Sequence, residues 1–421
     1  MAIDFQIETQ SRLTAGRVGR VATPHGVFDT PAFMTVGTRA TVRGVTNEQL
    51  RQIGAQVVLN NAYHLWLRPG PELIDRFGGT HAFMGWDGPI LTDSGGYQAY
   101  SMADTNAIDE DGVTFRSIID GRTLRMTPEV SMDIQNKIGA DIIMAFDDCP
   151  PAVDLGEGPV SQTRLKLQAA HERDRVKGKY DHATRLRVAN ERTIRWLERC
   201  KASHARPDTQ ALFGIVQGGT DEDARRWSAE RVTNVDLPGY AIGGVSVGET
   251  SEDIARIVRF TAPLLPEARP RYLMGVGYPR DIVAAVCAGV DMFDCVLPGR
   301  NGRNANAFVP EGQIRLRNAR FAEDPEPLEP GCDCPACSPA AGRPASRAYI
   351  RHLFMSQEML GPILVSLHNL RFFQRLMADL RATIAGDDWA SFANRWPSAA
   401  SGIPQAAYHA PRPAGDAGGA S

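Results

Sequence analysis

The 421-residue chain contains no apolar run approaching the roughly 18 residues that a membrane-spanning helix requires, so no span is expected. Its first ten residues, MAIDFQIETQ, bring an acid early and lack the apolar stretch of a secretory signal, which points to the cytoplasm. Excess charge is also missing. A net charge of −3 excludes global attraction to nucleic acid, so such a partner would have to meet a local basic face. Cysteines are few and odd in number, seven in all, and Cys149, Cys200, Cys287 and Cys295 are scattered; a disulfide framework is therefore not expected. Histidine is scarce where a metal-dependent barrel hydrolase would need it, with His64 the one plausible ligand near a strand end. What remains, 43% hydrophobic and 23% charged residues, is the composition of a folded globular chain with a large core.

A repeated unit runs along that chain: a short apolar segment, glycine or polar residues, then a helix-like stretch. Eight segments read as strands: 30–36, 56–62, 88–94, 140–146, 211–217, 239–245, 271–277 and 291–297. Their continuous hydrophobicity suits strands buried on both faces of a parallel sheet. Helical signals lie between them. Thr46 and Gln49 form a capping box before EQLRQIG, and Pro279 opens RDIVAAVCAG. Eight strands with intervening helices predict an α/β fold, a (β/α)8 TIM-type barrel, with a doubly wound sheet as the alternative.

Three segments depart from the repeat. Residues 112–128 alternate around Asp120-Gly121, as a β-hairpin does. Residues 161–206 hold 13 Lys/Arg against 5 Asp/Glu and read as a basic helical insertion, either a solvated face or an RNA-facing surface. From residue 398 the chain is rich in Ala, Pro, Gly and Ser and is expected to be disordered to its end at 421. The division expected is thus a barrel over 1–317, a metal-binding subdomain with closing helices over 318–397, and a tail.

Two constellations carry chemistry. Cys332, Cys334 and Cys337 stand close enough to converge on one tetrahedral Zn²⁺, with His352 or His368 as fourth ligand. Three thiolates and an imidazole close the coordination shell, which marks the site as structural. The second constellation is a set of aspartates at strand ends. A barrel of this kind carries its active site at the C-terminal ends of its strands. Asp93, Asp147, Asp148 and Asp294 stand there, with Gln217 from another strand. One such aspartate is ordinarily an N-cap; carboxylates converging from separate strands suit glycosyl transfer, one attacking an anomeric carbon and another handling the leaving group's proton. Gly243-Gly244 would let a flat base approach the backbone, and Tyr97 and Met274 could sandwich a ring.

LTDSGGYQ (91–98), MAFDDC (144–149), GIVQGG (214–219), YAIGGVSVGE (240–249), YLMGVG (272–277) and MFDCVLPGRNGRN (292–304) resemble the bacterial tRNA-guanine transglycosylases. So do the Cys-x-Cys-x-x-Cys knuckle and LHNLRFF (367–373), and the resemblance covers about residues 1–395 in order. It implies that Asp294 is the nucleophile and Asp93 the general acid/base. Asp147, Gln217 and the Gly244 backbone would read the purine edge, with Ser94 and Cys149 in the same base pocket. The Val245 carbonyl would meet an exocyclic aminomethyl group, and Tyr97 and Met274 would stack on the ring. Arg300 and Arg303 would contact RNA, and His368 in place of His352 would complete the zinc site. The implied substrates are a small 7-deazaguanine and tRNAs with a G-U-N anticodon, those for aspartate, asparagine, histidine and tyrosine. The implied assembly is a homodimer. Val247 implies the small precursor base and not queuine, since queuine-using subunits have glycine there. A non-catalytic partner subunit is the competing reading, and the retention of Asp93, Asp147 and Asp294 argues against it.

Overall fold

The computed structural model describes residues 2–101, 106–153, 181–245, 249–340 and 342–409. Eight parallel strands close into a barrel in chain order: β1 (Ala32–Val36), β2 (Val58–Asn61), β3 (Ile90–Asp93), β4 (Ile142–Met144), β5 (Ala211–Val216), β6 (Gly239–Ile242), β7 (Arg271–Leu273) and β8 (Met292–Asp294). Each lies within one of the eight predicted segments. β8 pairs back onto β1, aligning Asp294 with Met34, and β4 pairs with β3, aligning Ile142 with Leu91.

Strand alternation sorts the barrel's residues into two layers. Met34, Leu59, Leu91, Met144, Phe213, Ile215, Ala241, Tyr272 and Met292 fill the interior. Phe33, Val58, Ile90, Ile143, Leu212, Ile242, Leu273 and Phe293 belong to the separate cluster that the strands share with the helices. This two-sided burial explains why the strands read as unbroken apolar runs. It also aims the site: Asp93, Gln217 and Asp294 each stand two residues beyond an interior residue (Leu91, Ile215, Met292), so the same alternation directs them toward the barrel axis at the C-terminal mouth.

The opposite end is floored by an antiparallel sheet of Asp4–Gln10, Arg17–Thr23 and Gly26–Thr30, whose Val21 and Phe28 join the interior cluster. Two buried carboxylates pin it. Asp291 takes the Arg17 guanidinium at 2.6 Å, and Asp141 takes His25 Nδ1 at 2.7 Å and His81 Nε2 at 3.1 Å.

Beside the mouth, the predicted hairpin forms from Val113–Arg116 and Thr123–Met126, joined by Asn106–Ile108. The capping box at Thr46 is present with both of its hydrogen bonds, and helix Pro279–Cys287 starts on its proline. After β8 come helix Leu297–Arg303, a two-stranded hairpin (Asn306–Val309, Gly312–Arg315), the cysteine loop, helix Arg347–Met355 and the long helix Leu360–Gly386. The long helix returns to β1: Gln374 Nε2 donates to the Phe33 carbonyl at 3.1 Å, and Arg381 to Pro31 at 2.8 Å. The metal-binding segment is thus inserted between the last strand and the helix that closes the barrel. A boundary at 317 therefore does not separate two independent bodies, because that closing helix belongs to both.

Two sequence expectations change. Of the basic stretch 161–206, residues 161–180 lie outside the described residues; the rest contains helix His182–Ser203, the ordinary helix between β4 and β5. Leu186, Ala189, Thr193, Trp196, Leu197 and Cys200 form its buried face, at helical spacing. Its cations turn to barrel acids: Arg185 and Arg192 hold buried Asp148, each at 2.6 Å, Arg195 pairs with Glu110, and Arg199 with Glu129 at 2.7 Å. These four arginines of the described helix are thus paired within the chain. The tail expectation also fails in part. Residues 398–409 carry a short 3-10 turn and helix Gln405–Tyr408, with Ala399, Ile403 and Ala407 buried; 410–421 lie outside the described residues. Those three apolar side chains supply a local packing reason for order that composition alone concealed.

Candidate active site

A cavity of about 640 Å³ opens at the C-terminal mouth. It is lined by Asp93, Asp147 and Asp294, by Gln217, Gly244 and Val245, and by Ser94, Tyr97, Cys149, Met274 and Arg300. Eleven of the twelve residues expected around base and RNA thus meet in one place, and Arg303 lines a second cavity beside it. Asp148 does not join them. It points away into the arginine pair of the following helix and is a structural anchor. Val247 lies outside the described residues.

The two central carboxylates are held differently. Asp294 Oδ1 accepts from the Tyr272 hydroxyl at 2.6 Å and from the Gly275 amide at 2.8 Å. Both donors meet one oxygen, which leaves Oδ2 for the cavity. Burial raises the Asp294 pKa and these two hydrogen bonds oppose the rise. Asp93 Oδ1 accepts from the Ala62 amide at 3.1 Å and Oδ2 from Asn61 Nδ2 at 2.5 Å. Burial, reinforced by the charge of Asp294, lifts its pKa to about 7. A carboxyl near 7 can both give and take a proton at neutral pH, which is what general acid–base catalysis requires.

Asp147 Oδ2 accepts from Gln217 Nε2 at 2.6 Å, and burial lifts its pKa to about 7 also, with the neighbouring Asp148 charge adding to the rise. Gln217 Oε1 is buried and without a partner among the described residues. An acceptor and a carboxylate side by side, buried and waiting, match a ligand edge that offers N–H donors. Gly244 has φ +62°, and a Cβ there would lie 2.2 Å from Gln217 Oε1, so only glycine fits.

The second cavity, about 440 Å³, adjoins the first through Cys295 and Val296. Arg39, Arg43 and Arg303 line it, with His64 and Gly299. The mutual repulsion of these cations shows in Arg303, whose pKa is lowered by burial and by the charges of Arg43 and Arg300. Among the described residues that line it there is no carboxylate, and cations so gathered suit phosphate oxygens. Arg39 and Arg43 were missed in the sequence, where TRATVRG reads as an ordinary loop after β1. Tyr272 was missed as well, although it shares strand parity with Met274.

Apart from the barrel, Cys332, Cys334, Cys337 and His368 are buried together, their ligand atoms within 4.8 Å of one another. His368 Nδ1 stands 3.6, 3.6 and 3.5 Å from the three sulfurs. A tetrahedral ion with Zn–S of about 2.3 Å and Zn–N of about 2.05 Å sets sulfur and nitrogen roughly 3.5 Å apart. His368 Nε2 lies 2.7 Å from the Phe308 carbonyl, which fixes the ring and leaves Nδ1 as the ligand. The residues fit a metal. His352, the other candidate, is exposed on helix Arg347–Met355 and takes no part.

The raised Asp93 pKa has a consequence for stability. Folded, the carboxyl keeps its proton to about pH 7; unfolded, it loses it near the ordinary 3.8. The stability it contributes is present below about pH 4 and is lost as pH rises through 7. Asp93→Asn is therefore expected to melt above the wild type at pH 8, the gap closing toward pH 4. Equal melting temperatures at pH 8 would contradict the buried, raised carboxyl.

A family profile described as "Queuine tRNA-ribosyltransferase" matches residues 11–166 and 161–401. The queuine tRNA-ribosyltransferase of Symbiobacterium thermophilum is 50% identical over 400 residues, covering 94% of this chain and 92% of its own length. That of Thermus thermophilus is 48% identical over 392 residues, with 93% of each chain covered. That of Halalkalibacterium halodurans is 46% identical over 386 residues, 92% of this chain and 93% of the relative. With the barrel, its strand-end carboxylates and these full-length similarities, the chain belongs to the queuine tRNA-ribosyltransferase family of enzymes.

Proposed function

We propose that this enzyme exchanges guanine at the first anticodon position of G-U-N tRNAs for 7-aminomethyl-7-deazaguanine, through a covalent enzyme–ribose intermediate. The observation that carries this reading is the pair Asp93 and Asp294: two buried carboxyls on one cavity, one anchored at a single oxygen and the other with its pKa near 7. Asp294 Oδ2 attacks C1′ of the ribose as the bond to guanine N9 breaks. The electron pair of that bond goes to the base, which takes a proton from Asp93. The incoming base then gives its N9 proton to Asp93, and N9 displaces Asp294 from C1′. Two displacements at one carbon retain its configuration. Proton transfer through Asp93 contributes about 10²–10⁴ in rate.

The remaining residues bind. Asp147, Gln217 and the Gly244 amide read the purine edge, Val245 meets the aminomethyl group through its carbonyl, and Tyr97 and Met274 stack on the ring. Ser94 and Cys149 complete the wall. Arg300 and Arg303, joined by Arg39 and Arg43, take tRNA phosphates. Cys332, Cys334, Cys337 and His368 would hold a Zn²⁺ in a structural role, and the bound ion would add stability to the segment. No helix among the described residues is long and apolar enough to cross a membrane. Tyr349, Met355, Met359 and Leu360, close in sequence, are each exposed, Met359 by 81%; we infer a homodimer that would cover them. Sedimentation should give twice the 45.9 kDa chain mass, and a monomer at micromolar concentration would exclude it.

The test of the reaction is incorporation of labelled guanine into unmodified G-U-N tRNA. Incorporation supports the reading. A folded, zinc-loaded protein that incorporates none is a non-catalytic partner subunit instead.

A further inference from the structure

The loops that follow β5 and β6 meet over one side chain, Arg225, on helix Glu222–Thr233. It is fully buried, and its hydrogen bonds go to backbone carbonyls: Nε to Gly219 at 2.9 Å, Nη1 to Val216 at 3.0 Å and Gly243 at 2.7 Å, Nη2 to Gly244 at 3.2 Å. Burial draws its pKa down to about 10, so it stays charged at neutral pH. Burying a guanidinium costs far more than filling the same space with an apolar chain, so packing alone does not account for it.

The four bonds decide where the neighbouring amides point. In a trans peptide the C=O and the following N–H are antiparallel. Drawing the Gly243 and Gly244 carbonyls to Arg225 therefore turns the N–H groups of Gly244 and Val245 the opposite way. Two successive carbonyls can face one cation because Gly244 is left-handed, at φ +62°. Neither amide meets an acceptor among the described residues, and both residues line the 640 Å³ cavity. Successive N–H groups converging in this way make an anion-binding nest. A cation on the carbonyl side polarises each peptide and makes its N–H a stronger donor.

We propose that Arg225 is a positioning residue for base recognition, holding the Gly244 and Val245 amides as a cradle for the oxo edge of the purine-like base. The proposal rests on the transglycosylase reading above. Arg225 touches no substrate; it acts through the two peptides.

The experiment compares the wild-type enzyme with Arg225→Lys and Arg225→Met, reading guanine KM, kcat, tRNA Kd by gel shift, and zinc content. The cradle predicts that Arg225→Met raises guanine KM about 10- to 100-fold, roughly tenfold per lost hydrogen bond. The tRNA Kd and the zinc content should stay within about twofold of wild type. Arg225→Lys keeps the charge and reaches fewer carbonyls, so its KM should lie between the two. If Arg225→Met does not fold, the lysine variant carries the test by the same split between guanine KM and tRNA Kd. Unchanged guanine KM in a folded variant, or guanine and tRNA binding falling together, would overturn the assignment. Absence of exchange in the wild type would instead remove the underlying reading, which separates the two failures.

Discussion

Asp294→Ala is expected to abolish guanine exchange, by at least about 10⁴-fold, while the protein stays folded and retains its zinc. The size of the loss follows from the role. A nucleophile removed from a double-displacement mechanism leaves no second route to the same intermediate, and single knockouts of such groups cost about as much as losing the whole constellation. Asp93 does not substitute for it. Its carboxyl, with a pKa of about 7, has the separate task of exchanging the proton of the base. The expectation of retained folding is equally specific. The variant frees Tyr272 and Gly275 of their acceptor, but it also removes a carboxyl whose burial opposes its ionisation. Zinc is retained because its ligands come from 332–337 and from 368, not from β8. The comparison is made by incorporation of labelled guanine, by a denaturant-stable complex with tRNA in the wild type alone, and by metal analysis. Substantial exchange in the variant would move the nucleophile elsewhere. Loss of zinc would show that the two sites are coupled.

Cys334→Ala is expected to destroy the fold of the inserted segment and to lower expression, with zinc well below one per chain. Metal binding in small Cys/His sites is worth on the order of 10–16 kcal/mol in peptides, comparable to the whole stability of a domain at about 5–15 kcal/mol. The segment has little else to hold it. Its own core consists of Ala305, Ala307, Leu316, Leu328, Ile350, Phe354 and Val365 packed around the cysteines themselves. The damage should spread into the barrel, because His368 sits on the helix whose Gln374 and Arg381 tie down β1. Thermal unfolding and metal analysis check this, and chelation of the wild type should mimic it. A soluble, zinc-free and fully active Cys334→Ala enzyme would remove the structural role of the metal.

Much of the site could be read in advance because its residues sit at positions with a physical rule behind them. Asp93 and Asp294 end strands of a barrel, where reacting groups collect. The three cysteines stand at metal-ligand spacing. Arg225 could not be found in the same way. It lies in the helix segment DARRWS with nothing to distinguish it from Arg226, and only three-dimensional placement under two loops gives it a role. Arg39 and Arg43 were hidden similarly, since an arginine in a loop becomes part of a cationic pocket only when β8 and its helix bring Arg300 and Arg303 beside it. The basic stretch was open between a solvated and an RNA-facing helix, and in its described part Arg185, Arg192, Arg195 and Arg199 are matched by acids distant in sequence, Asp148, Glu110 and Glu129.

By itself, the order of apolar segments and glycines determined the eight strands, their burial on both faces and the end of the barrel that carries the chemistry. These are consequences of period and burial, which are local properties. Tertiary structure alone decided which charges are spent on one another and which stay available. It decided that Asp148 is an anchor while Asp147 beside it faces the cavity, and that Asp93 has a pKa near 7 while Asp294 is anchored by hydrogen bonds. Those outcomes depend on desolvation and on partners separated by tens to hundreds of residues, and no local pattern encodes either.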